Sequence, residues 1–237
     1  MSTTPTVLLV HGAFAESASW NGVITRLQGE SVRAVAVANP LRSVAGDGDH
    51  VRAVADAIGG PVLLVGHSYG GMVISHAGAD NPNVAGLVYV AAFVPETGES
   101  ALELSAKFPG STLGDALLGY PVPGGDVELR ITGEKFHQQF AHDVPADLAA
   151  TMAATQRPVT EAALKEALAV PAPWRAVPTW SIWAEQDRNI PAELEAFTAE
   201  RAATRAAIEI AGASHALSVS QPDAVAKVIL EAVRTTS

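Results

Sequence analysis

Four short apolar runs, Val7–Val10, Val32–Ala38, Val62–Val65 and Leu87–Val94, punctuate the first hundred residues. They show little period-2 alternation, which predicts strands covered on both faces, as in a parallel sheet packed between helices. Between them, Ser19–Leu27, His50–Ile58 and Gly71–Ala79 carry apolar residues at three- and four-residue spacing and predict helices; Asp47 or Asp49 could cap the second. The order strand, helix, strand reads as a right-handed βαβ progression. From Glu96 to Pro173 Gly and Pro become dense and strand-like runs give way to two helical stretches, Gly133–His142 and Pro145–Thr155. The strand pattern resumes at Thr179–Ala184 and Ala207–Ile210, followed by helices over Pro191–Ala203 and Pro222–Thr235, each with Pro in its first turn. The expected architecture is an α/β domain with a mostly parallel, doubly wound sheet. Residues 1–95 and 174–237 form its core, and residues 96–173 a cap insertion.

Composition narrows the possible partners. With 48% hydrophobic and 17% charged residues, the 237-residue chain has material for one sizeable core. A net charge of −10 argues against nucleic acid or an anionic membrane as partner. The chain has no cysteine, which removes disulfides, thiolate metal sites and a Cys nucleophile. The opening Met-Ser-Thr-Thr-Pro-Thr lacks the basic residues of a signal peptide, and no stretch approaches the roughly 20 apolar residues of a membrane span. A cytoplasmic protein acting on a small molecule is expected; the oligomeric state is not legible.

The chemistry concentrates at Val62-Leu-Leu-Val-Gly66-His67-Ser68-Tyr69-Gly70-Gly71, which runs from an apolar strand into a helical segment. Gly-x-Ser-x-Gly in that context fits a sharp strand-to-helix turn that lifts a serine hydroxyl clear of the sheet. Small residues flank the serine because a side chain there would strike the neighbouring strand or helix. A phosphate loop is disfavoured, since the Lys-Ser/Thr ending is missing.

A serine nucleophile needs a base and an acid, which in such a fold follow it in the order acid, then His. His215 is the one histidine after the cap, just past the last expected strand. The acid is read as Asp187, with Glu185 the alternative, because Asp187 lies beyond the end of the preceding strand, where loops assemble sites in open α/β sheets. Neutral His215 would accept the Ser68 proton while Asp187 holds its tautomer. Oxyanion donors are assigned to the backbone N–H groups of Tyr69 and of Ala13, in the His11-Gly12-Ala13-Phe14 loop after the first strand. Phe14, Phe136 and Phe140 are candidates for an apolar substrate pocket. No cofactor or metal is expected: His137 and His142 are five apart, and Asp47-Gly-Asp-His50 is short of ligands for calcium.

With these residues in place the chain resembles the α/β-hydrolase superfamily, and in particular small bacterial esterases and the plant methyl-esterase and hydroxynitrile-lyase group. The resemblance rests on Leu-Val-His-Gly-Ala with Trp20 beyond it, on Val-Gly-His-Ser-Tyr-Gly-Gly and on Val-Tyr-Val-Ala-Ala-Phe-Val-Pro. It implies hydrolysis of a small, fairly apolar carboxylic ester, thioester or lactone through an acyl-enzyme. C–C hydrolase, lyase or dioxygenase variants of the fold, and a ligand receptor retaining the triad, are the alternatives. Lyases of that group place Thr after the first-loop His and Lys after the catalytic His, where this chain has Gly12 and Ala216, so the cation that would stabilise cyanide is missing.

Overall fold

A computed structural model of the chain describes residues 4–237; the first three residues of the N-terminal segment read as lacking a signal peptide lie outside them. Strand β1 (Thr6–Val10) leads to α1 (Asn21–Gly29), and β2 (Ala34–Val37), α2 (Val44–Ile58), β3 (Val62–Ser68), α3 (Gly70–Gly78) and β4 (Val84–Ala92) follow. An inserted segment then carries α4 (Ala101–Ser105), β5 (Leu117–Pro121), β6 (Val127–Ile131), α5 (Gly133–Phe140), α6 (Ala146–Thr155), β7 (Val159–Thr160) and α7 (Glu161–Lys165). The chain returns through β8 (Thr179–Ala184), α8 (Ala192–Arg201), β9 (Ala207–Ile210), α9 (Leu217–Ser220) and α10 (Pro222–Thr236).

Among the described residues the main sheet has the order β2-β1-β3-β4-β8-β9, and every pair in it is parallel. It is doubly wound. Leu8, Val10 and Leu64 pack with Val51, Met72 and Ile74 on one face, beneath α2 and α3. Their chain neighbours Val7, Leu9, Leu63 and Val65 pack with Trp20, Leu27 and Ile229 on the other, beneath α1 and α10. Both faces are therefore apolar, which is why these strands read as unbroken hydrophobic runs. The winding reverses between β1 and β3, so the loops leaving their carboxyl ends flank the crevice where open α/β sheets place ligands. Those loops carry His11–Phe14 and Ser68–Gly70.

The structure corrects three local expectations. The inserted segment contains strands: β5, β6 and β7 form a small antiparallel sheet, and Val122-Pro-Gly-Gly-Asp126 joins the first two. Helix α2 begins at Val44, not His50, and its cap is Ser43, whose Oγ accepts the Gly46 N–H at 3.0 Å; Asp47 and Asp49 lie inside the helix. Pro191 stands at the N-cap of α8, one position before the first turn, whereas Pro222 opens α10 as expected.

Helix α3 approaches the end of β4 closely. A Cβ added at Gly71 would stand 2.0 Å from the Phe93 carbonyl oxygen, a contact only a backbone shift can relieve. Gly71→Ala is expected to lower stability by about 3 kcal/mol, at the upper end of overpacking costs. Urea unfolding measures this, and an unchanged midpoint would show that the β4 end yields freely.

Candidate active site

Ser68 closes β3 with φ of 55°, a left-handed conformation costly for a residue with a side chain, and α3 starts two residues later. Close contacts hold this turn. A Cβ at Gly66 would meet the Gly70 carbonyl oxygen at 2.6 Å, and one at Gly12 would lie 2.5 Å from Ser68 Cβ and 3.2 Å from its Oγ. The loop after β1 therefore runs directly over the serine. Among the described residues Ser68 Oγ has no hydrogen-bond partner, and no turn, loop or cap carbonyl accepts the Ala13 or Tyr69 N–H. Phe14 also has positive φ (60°), and its N–H donates to the Arg157 carbonyl of the inserted segment at 3.0 Å.

Asp187 and His215 come together in the core. The His215 Nδ1–H donates to Asp187 Oδ2 at 2.5 Å, with both side chains shielded from solvent. Asp187 Oδ1 accepts the N–H groups of Asn189 at 2.7 Å and Ile190 at 2.9 Å, so both oxygens of this carboxylate are engaged. Glu185 turns elsewhere: it is exposed and accepts the Gly212 N–H at 2.7 Å. His67, adjacent to Ser68, packs its ring 4.7 Å from that of His215 and donates from Nε2 to the His215 carbonyl at 2.9 Å. Burial first, then the neighbouring His215, hold His67 well below the usual imidazole range, so it stays neutral.

Two further carboxyl groups, neither marked for the site by the sequence, and the Tyr69 phenol complete the surroundings. The Tyr69 hydroxyl donates to Asp47 Oδ2 at 3.0 Å, tying the residue after the serine to α2. Burial raises Asp47 above the usual carboxylate range. Glu195 of α8 is fully buried, and burial, followed by the charge of nearby Asp187, raises it well above that range.

The three aromatic candidates separate. The rings of Phe140 and His215 meet edge to face with centroids 4.9 Å apart, and Phe136 stacks on Phe140 at 5.0 Å; both phenylalanines are buried. Phe14 lines a cavity of about 340 Å³ together with Ala15, Leu148, Met152, Gln156 and Val219. Ser68, Asp187 and His215 do not line it, although Phe14 follows Ala13 directly and Val219 lies one turn beyond His215. The described lining carries one charged side chain, Glu16. No group of three or more His, Cys, Asp or Glu among the described residues is arranged to hold a metal, and none of their helices is long and apolar enough to cross a membrane.

His11 anchors the loop over the serine. Its Nδ1–H faces the Gly12 carbonyl at 2.9 Å and its Nε2 accepts the Asn39 N–H at 3.1 Å, an arrangement only the neutral ring satisfies. Burial lowers it from 6.5 to about 4. Between those values the unfolded chain binds a proton that the folded one refuses, so this contribution is complete above pH 6.5 and is lost as pH falls toward 4. Glu195 titrates with the opposite sign, so the His11 effect is read by difference. The stability advantage of wild type over His11→Gln should shrink by about 2 kcal/mol between pH 7.5 and pH 5. Urea titrations of both proteins at the two pH values measure it, and a pH-independent difference would mean that folded His11 takes up its proton as readily as the unfolded chain does.

The sequence model of the alpha/beta hydrolase family matches residues 7–228. A carbendazim hydrolyzing esterase of Nocardioides sp. (strain SG-4G) is 56% identical over 48 residues, covering 19% of each chain. A pyrethroid hydrolase of Sphingobium wenxiniae is 32% identical over 109 residues, covering 40% of this chain and 39% of that protein. The aligned segments thus span about a fifth and about two fifths of these relatives. The crystal structure of polyneuridine aldehyde esterase superposes with a TM-score of 0.82 at 20% identity, over 96% of this chain and 98% of that one, a likeness of fold.

Proposed function

We propose, from the premise that the chain belongs to the alpha/beta hydrolase family, that it hydrolyses a small, fairly apolar carboxylic ester through an acyl-enzyme formed on Ser68. The observation that carries this reading is the buried 2.5 Å Asp187–His215 contact, with His67, the residue before the left-handed Ser68, packing its ring 4.7 Å from that of His215. In the proposed reaction neutral His215 takes the Ser68 proton at Nε2 as Oγ attacks the ester carbonyl. Asp187 keeps the other ring proton on Nδ1 and stabilises the imidazolium. The Ala13 and Tyr69 N–H groups receive the oxyanion. His215 then protonates the leaving alcohol, and water, activated by the same imidazole, releases the acid.

The segment over 96–173 is proposed as a cap that sets selectivity, with Phe14, Phe136 and Phe140 shaping the apolar side of the site. A neutral substrate is favoured by the cavity beside Phe14, whose described lining is mainly apolar and includes one carboxylate and no cation. The names of the two relatives, an esterase and a hydrolase, point the same way.

A panel of chromogenic esters of rising acyl length, combined with an organophosphonate label, tests the proposal. Turnover of neutral esters and a single modified peptide containing Ser68 are expected. Labelling elsewhere, or no turnover of any ester, would overturn it.

A further inference from the structure

The inserted segment grips both loops that carry the Asp187–His215 pair, and two of its polar side chains do this four residues apart. Gln139, buried in the last turn of α5, donates from Nε2 to Asn189 Oδ1 and to the Arg188 carbonyl, both at 2.8 Å. Its Oε1 accepts the Thr112 hydroxyl at 2.9 Å, so every polar atom of the amide is directed. Asn189 is the residue whose N–H donates to Asp187 Oδ1 at 2.7 Å. Asp143, in the loop after α5, receives both donors of Ser214: the N–H at 3.1 Å on Oδ2 and the hydroxyl on Oδ1. Ser214 immediately precedes His215, and Ala216, immediately after it, donates its N–H to the Phe140 carbonyl at 3.0 Å. His215 is thus held from the inserted segment on both sides in sequence, and the ring of Phe140 closes over it.

We propose that Gln139 and Asp143 are positioning residues of the inserted segment, Gln139 setting Asp187 through Asn189 and Asp143 setting His215 through Ser214. This rests on the reading of Asp187 and His215 as the catalytic pair. Neither residue touches the reacting atoms. Each fixes a loop one or two residues from a member of the pair, and a shift of about 1 Å in such a group costs on the order of 10²-fold in rate. The geometry also gives each a distinct route, so their losses should be separable.

The experiment compares Asp143→Ala, Asp143→Asn and Gln139→Leu by steady-state kinetics on a chromogenic ester. It adds proton NMR of the downfield His215 Nδ1–H resonance, which reports the bond to Asp187 whether or not an ester is turned over. Asp143→Ala and Gln139→Leu should lower kcat by roughly 10–100-fold with KM within about twofold, and broaden or shift that resonance. Asp143→Asn keeps an oxygen for one Ser214 donor and should recover much of the loss, which also covers the case of an alanine variant that does not fold. Asp143→Ala combined with Ser214→Ala should lose little more than the worse single variant, because both cut the same link. A folded Asp143→Ala with wild-type kcat and an unchanged resonance would overturn the proposal, as would a loss confined to KM or multiplied losses in the double variant. If wild type turns over no ester, the hydrolase reading fails by itself, and the resonance in the variants still decides whether these residues set the pair.

Discussion

Replacing Ser68 by Ala is expected to lower kcat by roughly 10⁴–10⁶, the scale seen when the nucleophile of a cooperating triad is removed, while the unfolding midpoint stays near that of wild type. The stability half of this expectation follows from the surroundings. Ser68 Oγ has no hydrogen-bond partner among the described residues, so deleting it strands no buried donor or acceptor. The close contacts that define the turn come from the Gly12, Gly66 and Gly70 backbones, which the substitution leaves in place. The kinetic half follows from the proposed chemistry: without Oγ there is no acyl-enzyme, and what remains is binding and the oxyanion donors. His215→Ala should cost a similar factor and the double variant little more, because serine and histidine act as one unit. Steady-state kinetics with urea unfolding measures both halves. A Ser68→Ala protein retaining a tenth of the wild-type rate would point to a serine-independent reaction on the same scaffold.

Asp187→Asn should be the next most damaging change, at roughly 10³–10⁴-fold in kcat, and hydrogen-bond polarity explains why. Asp187 Oδ1 accepts two backbone N–H groups and Oδ2 accepts the His215 Nδ1–H, so all three neighbours are donors. Asparagine offers one acceptor oxygen and one donor nitrogen. If its oxygen stays with Asn189 and Ile190, its NH₂ faces His215 and drives the ring proton from Nδ1 to Nε2, where Ser68 can no longer deliver its own. If the amide flips, the loop loses both N–H partners and the acid site itself opens. A variant within tenfold of wild type would mean that Asp187 does not set the tautomer.

Much of the sheet was legible because strands covered on both faces leave uninterrupted apolar runs; Thr179–Ala184 and Ala207–Ile210 were read with the boundaries the structure has. The small sheet of the inserted segment was not, since β5 and β6 are mostly half-exposed and their apolar positions are interrupted by Gly119, Glu128 and Arg130. The start of α2 was hidden by Gly46 and Gly48, which lower helix propensity. Gly48 earns its place through tertiary packing, because a Cβ there would meet His76 Cδ2 at 2.5 Å. At the candidate site, Ser68, Asp187 and His215 announce themselves by motif and chain order. Gln139 and Asp143 do not, because each works through a neighbour far away in sequence, and no local spacing marks such a contact. Phe136 and Phe140 were legible as aromatics of the insertion, but the stacking of the two rings and the edge-on contact of Phe140 with His215 depend on the tertiary fold.

The neighbouring strands β4 and β8 pair Leu87 with Thr179, so the whole inserted segment lies between two residues that touch. Closing a span on the order of ninety residues, compared with a helical crossover of about 25, costs only about 1 kcal/mol more in chain entropy, since the cost grows with the logarithm of length. Equilibrium stability is therefore nearly indifferent to how long this connection is. The folding rate is not, because the pairing of β4 with β8 is a contact of high sequence separation that slows the search. The first four strands, whose pairings are far more local, can gather before β8 docks beside β4. Lengthening or shortening the chain within the β5–β6 turn should thus change how fast the protein reaches its native state far more than how firmly it stays there.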